Sequence, residues 1–150
     1  AYCLRYGGVP EYVAPQRAGI SAMLAVDPEC AQDTELATAM TDAAAHVRSG
    51  QVTYAARDSE FDGKKIKQGE YLSLCEGKLC ANGKETSVIK KLAREMVSDD
   101  SAFATVIFGE GVTEEQAAEV ENLLHKENKE MEINLINGGQ PVYYYIISVE

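Results

Sequence analysis

Basic residues are scarce in this chain. Its 14 lysines and arginines stand against 24 aspartates and glutamates, for a net charge of −10. A nucleic-acid backbone or an anionic membrane surface rewards the opposite balance, so neither is an expected partner. Nor do the bases gather: Lys64-Lys65-Ile66-Lys67 and Lys90-Lys91 are the clusters, and each is expected on a solvated loop or helix face. No apolar run approaches the length of a bilayer span and no leader pattern is visible, which makes the cytoplasm the expected location. Histidine occurs only at His46 and His125, and neither is expected beside a carboxylate at helical spacing. Cys3, Cys30, Cys75 and Cys80 are irregularly spaced, and a turn separates the last two where paired zinc ligands would stand closer. Reduced thiols and no bound metal are expected. A nucleophile elbow, a Walker loop and a dinucleotide fingerprint are all missing. The sequence starts at Ala1 rather than at methionine, and is expected to be a piece of a longer protein.

What is present is a core. With 150 residues and 45% hydrophobic content, the chain is expected to form a single domain over 1–150, with an irregular segment at 1–18. The stretch the rest is organised around is Gly138-Gly-Gln-Pro-Val-Tyr-Tyr-Tyr-Ile-Ile-Ser-Val-Glu150. From Val142 to Val149, both alternating sets are β-branched or aromatic, which predicts a strand buried on two faces. Ile146 and Ile147 are therefore expected on opposite faces, both buried. Met131, Ile133 and Leu135 alternate with Glu132 and Asn134, the pattern of a half-buried strand leading in.

Upstream, a short strand is expected around Tyr12-Val13-Ala14 and an apolar run at 22–26. Asp33 or Thr34 is expected to open a helix with the stripe Leu36, Met40, Ala43, Ala44 and Val47, aided by Arg48 and stopped by Gly50. Val52 to Arg57 reads as a strand. Turns at Asp62-Gly63, Gly69, Glu76-Gly77 and Asn82-Gly83 then frame a small β-hairpin insert. Ser87 is expected to begin a second helix with Val88, Ile89, Leu92, Met96 and Val97 on one face. A doubly apolar strand follows at 102–108, and Thr113-Glu-Glu-Gln116 is a capping box for a third helix. This order predicts an α/β (α+β) fold, a mixed sheet with packed helices.

Few residues suggest a site. Arg57-Asp58 closes a strand, where crevices in such sheets often lie, although turn capping explains the pair more simply. Gly109-Glu110 precedes a helix N-terminus, an anion-favouring position that Glu110 opposes with like charge. Gln140 and Tyr143 stand in the terminal turn, and three consecutive tyrosines cannot all share one face, so one is expected at a surface. These residues amount to binding candidates, not a catalytic set.

Five segments together resemble one family. They are Gly19-Ile-Ser-Ala-Met-Leu24, Val52-Thr-Tyr-Ala-Ala-Arg-Asp58, Ile66-Lys-Gln-Gly-Glu-Tyr71, Phe108-Gly-Glu-Gly-Val-Thr113 and the Gly138-Gly-Gln-Pro-Val-Tyr143 ending. In order and spacing they are similar to the C-terminal, DegV-like region of the catalytic component of bacterial fatty-acid kinase, which is related to dihydroxyacetone kinase and also called DAK phosphatase-like. The resemblance runs from about Tyr12 to Glu150. It implies a polypeptide whose separate N-terminal domain holds ATP and magnesium and phosphorylates a protein-bound fatty acid to an acyl-phosphate for phospholipid synthesis. The C-terminal part is implied to engage the acyl-carrying DegV-like protein without holding nucleotide, so no cofactor is expected in this chain and no catalytic residue carries over. The partners implied are that DegV-like fatty-acid-binding protein and the kinase domain of the same polypeptide, and a homodimer is compatible. Tyr2-Cys3 is similar to a segment of the family's middle region but continues differently, so no metal role passes to Cys3. A DegV-like domain is larger than this chain, whose expected fold is its C-terminal half. The alternative expectation is an independent small-ligand or fatty-acid-binding module. A hydrolase, suggested only by the phosphatase-like label, has no supporting residues.

Overall fold

The computed structural model describes residues 14–26, 33–61 and 63–150. In chain order it has α1 (Ala14–Leu24), α2 (Asp33–His46), β1 (Arg48–Tyr54), β2 (Ser59–Phe61), β3 (Lys64–Ile66), β4 (Tyr71–Cys75), β5 (Lys78–Gly83), α3 (Glu85–Met96), β6 (Phe103–Phe108), α4 (Glu114–Glu127), β7 (Glu132–Asn137) and β8 (Tyr143–Val149). Six strands form one sheet in the order β5-β4-β1-β8-β6-β7, and β2 and β3 pair as a separate ribbon. Only β6 and β7 run parallel, joined by the α4 crossover; the other pairs are antiparallel. The mixed sheet with packed helices is as the sequence predicts.

The core lies between this sheet and α3 with α4. On α3 the buried residues Val88, Ile89, Leu92, Ala93 and Met96 recur with helical period, and on α4 Ala117, Val120 and Leu124 do the same. From the sheet they meet Val52, Ala104, Val106, Phe108, Tyr145, Ile147 and Val149. α4 opens on the capping box: the Gln116 N–H donates to Thr113 Oγ1 at 3.3 Å, and the Thr113 N–H donates to Gln116 Oε1 at 2.9 Å.

Gly50 has a different role from the helix stop that its position suggested. It stands in β1 with α3 lying directly over it, and a Cβ there would run into Met96 Sδ and the Leu92 methyl carbons. The close helix–sheet approach requires glycine. The preceding helix ends earlier, at His46, and Arg48 serves the other helix terminus: its Nη1 donates to the Glu95 carbonyl, 3.0 Å away in the last turn of α3. The strand is correspondingly shifted, running Arg48–Tyr54 rather than Val52 to Arg57. Glu76 and Gly77, with φ of 49° and 76°, form the hairpin turn between β4 and β5.

The second face of the sheet is covered unevenly. α1 approaches β1 and β8, and Ser21 Oγ donates to Glu150 Oε2 at 3.1 Å. Ser49, Ser148 and Thr105 are buried on that face. Next to the β2–β3 ribbon, Ala55, Ile66 and Leu79 form a small cluster with Leu72 and Leu74. Between these covers Ile146 and Ile107 are only half-buried, and Ile136 on β7 is exposed. The expectation that β8 is buried on both faces therefore holds for Ile147, which is 1% exposed, and not for Ile146. α1 itself shows Ile20, Met23 and Leu24 to solvent, one helical stripe with no cover among the described residues. Residues 14–18, expected to be irregular, belong to this helix; Pro15 falls in its first turn, where a missing N–H removes no helical bond. Residues 1–13, with Cys3 and most of the expected strand at 12–14, lie outside the described residues, as does Cys30.

Candidate functional site

One end of the sheet gathers the ends of β1 and β6, the starts of β4 and β8, and the N-termini of α3 and α4. Four of the six sequence candidates meet there. The Gly109 N–H donates to the Tyr144 carbonyl at 2.9 Å, and the Glu110 N–H to the Gln140 carbonyl at 3.2 Å. Gln140 Nε2 reaches back to the Ile107 carbonyl at 3.2 Å and the Tyr143 carbonyl at 3.3 Å. Gly109 has no room for a side chain, because a Cβ would strike the carbonyl oxygens of Tyr143 and Gln140. Arg57 and Asp58 do not join this network. Both are exposed, and Asp58 Oδ1 accepts the Gln68 N–H at 2.7 Å, which is turn chemistry beside the β2–β3 ribbon.

The loop these bonds hold is strained at one residue. Val142 has φ of 75°, a left-handed conformation that a β-branched side chain resists by about 1–3 kcal/mol. Thr53 Oγ1 donates to its carbonyl at 2.8 Å, and the Tyr143 N–H closes onto the Pro141 carbonyl at 2.9 Å. The Val142 side chain that this geometry presents is 65% exposed.

Immediately after it the register slips. Val52 pairs with Tyr145 but Thr53 pairs with Tyr143, so Tyr144 is an extra residue in β8. This bulge is what strict alternation could not foresee. It turns Tyr144 to the helix side of the sheet, where its ring stands edge-on to Tyr54 at 5.7 Å and to Tyr71 at 5.3 Å. Tyr54 is 46% exposed, Tyr144 and Tyr71 are half-buried, and Tyr145 is buried beneath them. The Tyr145 hydroxyl donates to Glu85 Oε1, 3.4 Å away in the first turn of α3. Burial, followed by the charge of Glu85, raises both the Tyr71 and the Tyr145 phenol above the ordinary range and keeps them protonated. Tyr144 is one of the three consecutive tyrosines of which one was expected at a surface, whereas Tyr54, Tyr71 and Glu85 were not candidates from sequence; the signal available was a tyrosine at the terminus of each neighbouring strand.

Between α4 and the ends of β6 and β7 a groove is lined by Phe108, Ala118, Leu135 and Asn137, with Glu114 and Glu115 as its charged wall. Carboxylates in that position suit the positive end of α4 and oppose an incoming anion. Catalytic chemistry finds little here. Among the described residues no three histidine, cysteine or acidic side chains stand together as a metal site. One histidine does stand by a helical carboxylate, contrary to the sequence reading: His125 Nε2 lies 3.9 Å from Glu121 Oε1 one turn earlier on α4. That pair is a partly exposed helix-surface contact.

Cys75 and Cys80 are free, half-buried thiols on adjoining strands. Burial first, then the negative charge of Glu76, pushes the Cys75 thiol from 9 up to about 11. The fold thus favours the neutral thiol. Its contribution is complete below pH 9 and disappears as pH rises through about 11. Urea midpoints measured across that window are expected to fall for the parent and to fall less for Cys75→Ser; equal slopes would remove Cys75 as the cause.

Residues 15–150 match the family model of the FakA-like C-terminal domain, the C-terminal region of proteins like the fatty acid kinase component FakA. The chain belongs to this family. Protein YloV of Bacillus subtilis is 37% identical over 144 residues, covering 95% of this chain and 25% of the relative. An uncharacterized protein of Staphylococcus haemolyticus is 35% identical over 133 residues, covering 88% of this chain and 24% of the relative. The chain thus spans about a quarter of the length of the curated relatives it matches. Among solved structures, a fatty acid binding DegV family protein from Streptococcus agalactiae superposes with a TM-score of 0.56 at 15% identity, over 89% of this chain and 54% of that one. A DegV family protein from Ruminococcus gnavus, in a structure with vaccenic acid, gives 0.54 over the same shares. The fold of this chain is accordingly similar to just over half of a DegV family protein.

Proposed function

We propose that this domain is the non-catalytic C-terminal part of a fatty-acid kinase, and that it engages an acyl-carrying DegV-like protein so that a kinase domain elsewhere in the polypeptide, using ATP and magnesium, makes acyl-phosphate. The observation that carries this reading is the family match over residues 15–150 in a chain spanning a quarter of its relatives. The remaining length leaves room for a catalytic domain. Supporting it, the sequence has no phosphate-cradling loop, and the most convergent polar region is built from tyrosines and carboxylates around main-chain bonds. Incubating the isolated chain with ATP, magnesium and an acyl-loaded DegV-like protein is expected to yield a complex and no acyl-phosphate. Turnover by this chain alone would remove the non-catalytic reading, and failure of the full-length polypeptide to bind the acyl-loaded protein would remove the partner.

A second reading, a fatty-acid-binding module in its own right, is favoured by the DegV-family neighbours described as fatty acid binding or containing vaccenic acid. Against it, Glu114 and Glu115 wall the groove at the candidate site and would repel a fatty-acid carboxylate. Native mass spectrometry of protein purified from cells separates the two readings. A co-purifying fatty acid supports this second reading, and an apo mass supports the first.

A further inference from the structure

The tyrosine-rich end combines three properties that do not serve stability. Val142, held with positive φ by Thr53, projects an aliphatic side chain into water. Beside Thr53 in the same strand, Tyr54 shows nearly half its surface to solvent and packs edge-on against Tyr144. This end of the sheet is acidic: Glu85 stands against Tyr71 and Tyr145, and the segments 83–86 and 109–116, which lead into α3 and α4, carry Glu85, Glu110, Glu114 and Glu115 against the one base Lys84. Glu85 is within hydrogen-bond distance of Tyr145, and Gly111, next to Glu110, faces the Tyr144 ring closely enough that a side-chain methyl there would be in van der Waals contact with it.

Tyrosine faces and carboxylates attract the same thing, a cation, and an arginine or lysine reaches both at once. Exposed tyrosine is also enriched at the centre of protein interfaces, and the bare Val142 adds apolar area at the same end of the sheet. We infer that this end is the docking surface for the acyl-carrying partner, and that it receives a partner face on which an arginine or lysine stands next to an aliphatic side chain. The inference rests on the partner-binding function proposed above and adds where and by what chemistry the partner is held. A second copy of this chain fits poorly, since its own net charge is −10 and the same acidic end would face itself. A phospholipid or fatty-acid headgroup meets the same repulsion.

The test uses the full-length polypeptide and its acyl-loaded DegV-like partner in calorimetric titrations at low and high salt. Tyr54→Ala and Glu110→Lys both alter exposed side chains, and thermal unfolding of each confirms that the fold is intact. Each is expected to weaken binding at least tenfold, and Glu110→Lys is expected to flatten the salt dependence as well. Phe61→Ala, exposed on the β2–β3 ribbon, is expected to leave affinity within twofold. Parent binding with both site variants within twofold of it overturns the surface and leaves the proposed function standing. Absence of parent binding overturns both. Unchanged affinity with lost acyl-phosphate production would assign this end to the kinase domain instead, and would also overturn the inference.

Discussion

Ile147→Ala is expected to lower stability by about 2–5 kcal/mol, and Ile146→Ala, its neighbour in the same strand, by about 1 kcal/mol. Ile147 is 1% exposed and lies between Gly50 and Val106 on the face covered by α3 and α4. Truncating it leaves a cavity that glycine on one flank cannot help to close, because Gly50 has no side chain to move in. Ile146 pairs with Gln51 and Ile107 on the other face, where solvent already reaches it. For a domain whose total stability is about 5–15 kcal/mol, the first substitution removes a large part and the second does not. Urea unfolding of both variants beside the parent measures the difference. Equal midpoint shifts would mean that the second face is as well covered as the first.

Gly109→Ala is expected to cost about 1–3 kcal/mol, and to act on the loop at 138–143 before it acts on the core. The added methyl group would meet two main-chain oxygens, those of Tyr143 and Gln140, and neither belongs to a side chain that could rotate aside. The loop must retreat, and with it go the Gly109–Tyr144 and Glu110–Gln140 bonds and the placement of Val142. Gly111→Ala is the matched control, since its methyl would lie 3.5 Å from the nearest Tyr144 ring carbon, an ordinary contact. Thermal unfolding combined with amide exchange at residues 109 and 110 reports both effects. Equal behaviour of the two alanine variants would show that the loop yields without loss.

The parts of the fold governed by periodicity were open to reading. The α3 and α4 stripes, the Thr113 capping box, the Glu76-Gly77 turn and the doubly apolar β6 follow from side-chain spacing alone. The misreadings occurred where tertiary contact decides the outcome. Gly50 has the composition of a helix stop, but what fixes it is Met96 on a helix that comes much later in sequence. The face of Tyr144 depends on a bulge, and a bulge leaves no trace in an alternating pattern. Gly109, Glu110, Gln140 and Tyr143 could be singled out as loop residues between strong elements, but their convergence required the β6–β8 pairing. Arg57-Asp58 looked similar by the same criterion, and its partner proved to be the Gln68 amide.

The placement of β8 bears on how the domain is made. β8 is the bridge between two halves of the sheet: β1, β4 and β5 on one side, β6 and β7 on the other. Arg48 meets Val149 and Ala104 meets the same residue from the opposite side. During synthesis, the β1–β4–β5 meander and the β6–α4–β7 unit can each form locally and meet through α3 and α4, but the sheet is not continuous until residues 143–149 have left the ribosome. Until then the strand edges of β1 and β6 that β8 will occupy are open to any passing chain. The domain is thus expected to complete its sheet late and in one step, and its slowest folding phase is expected to report the arrival of β8.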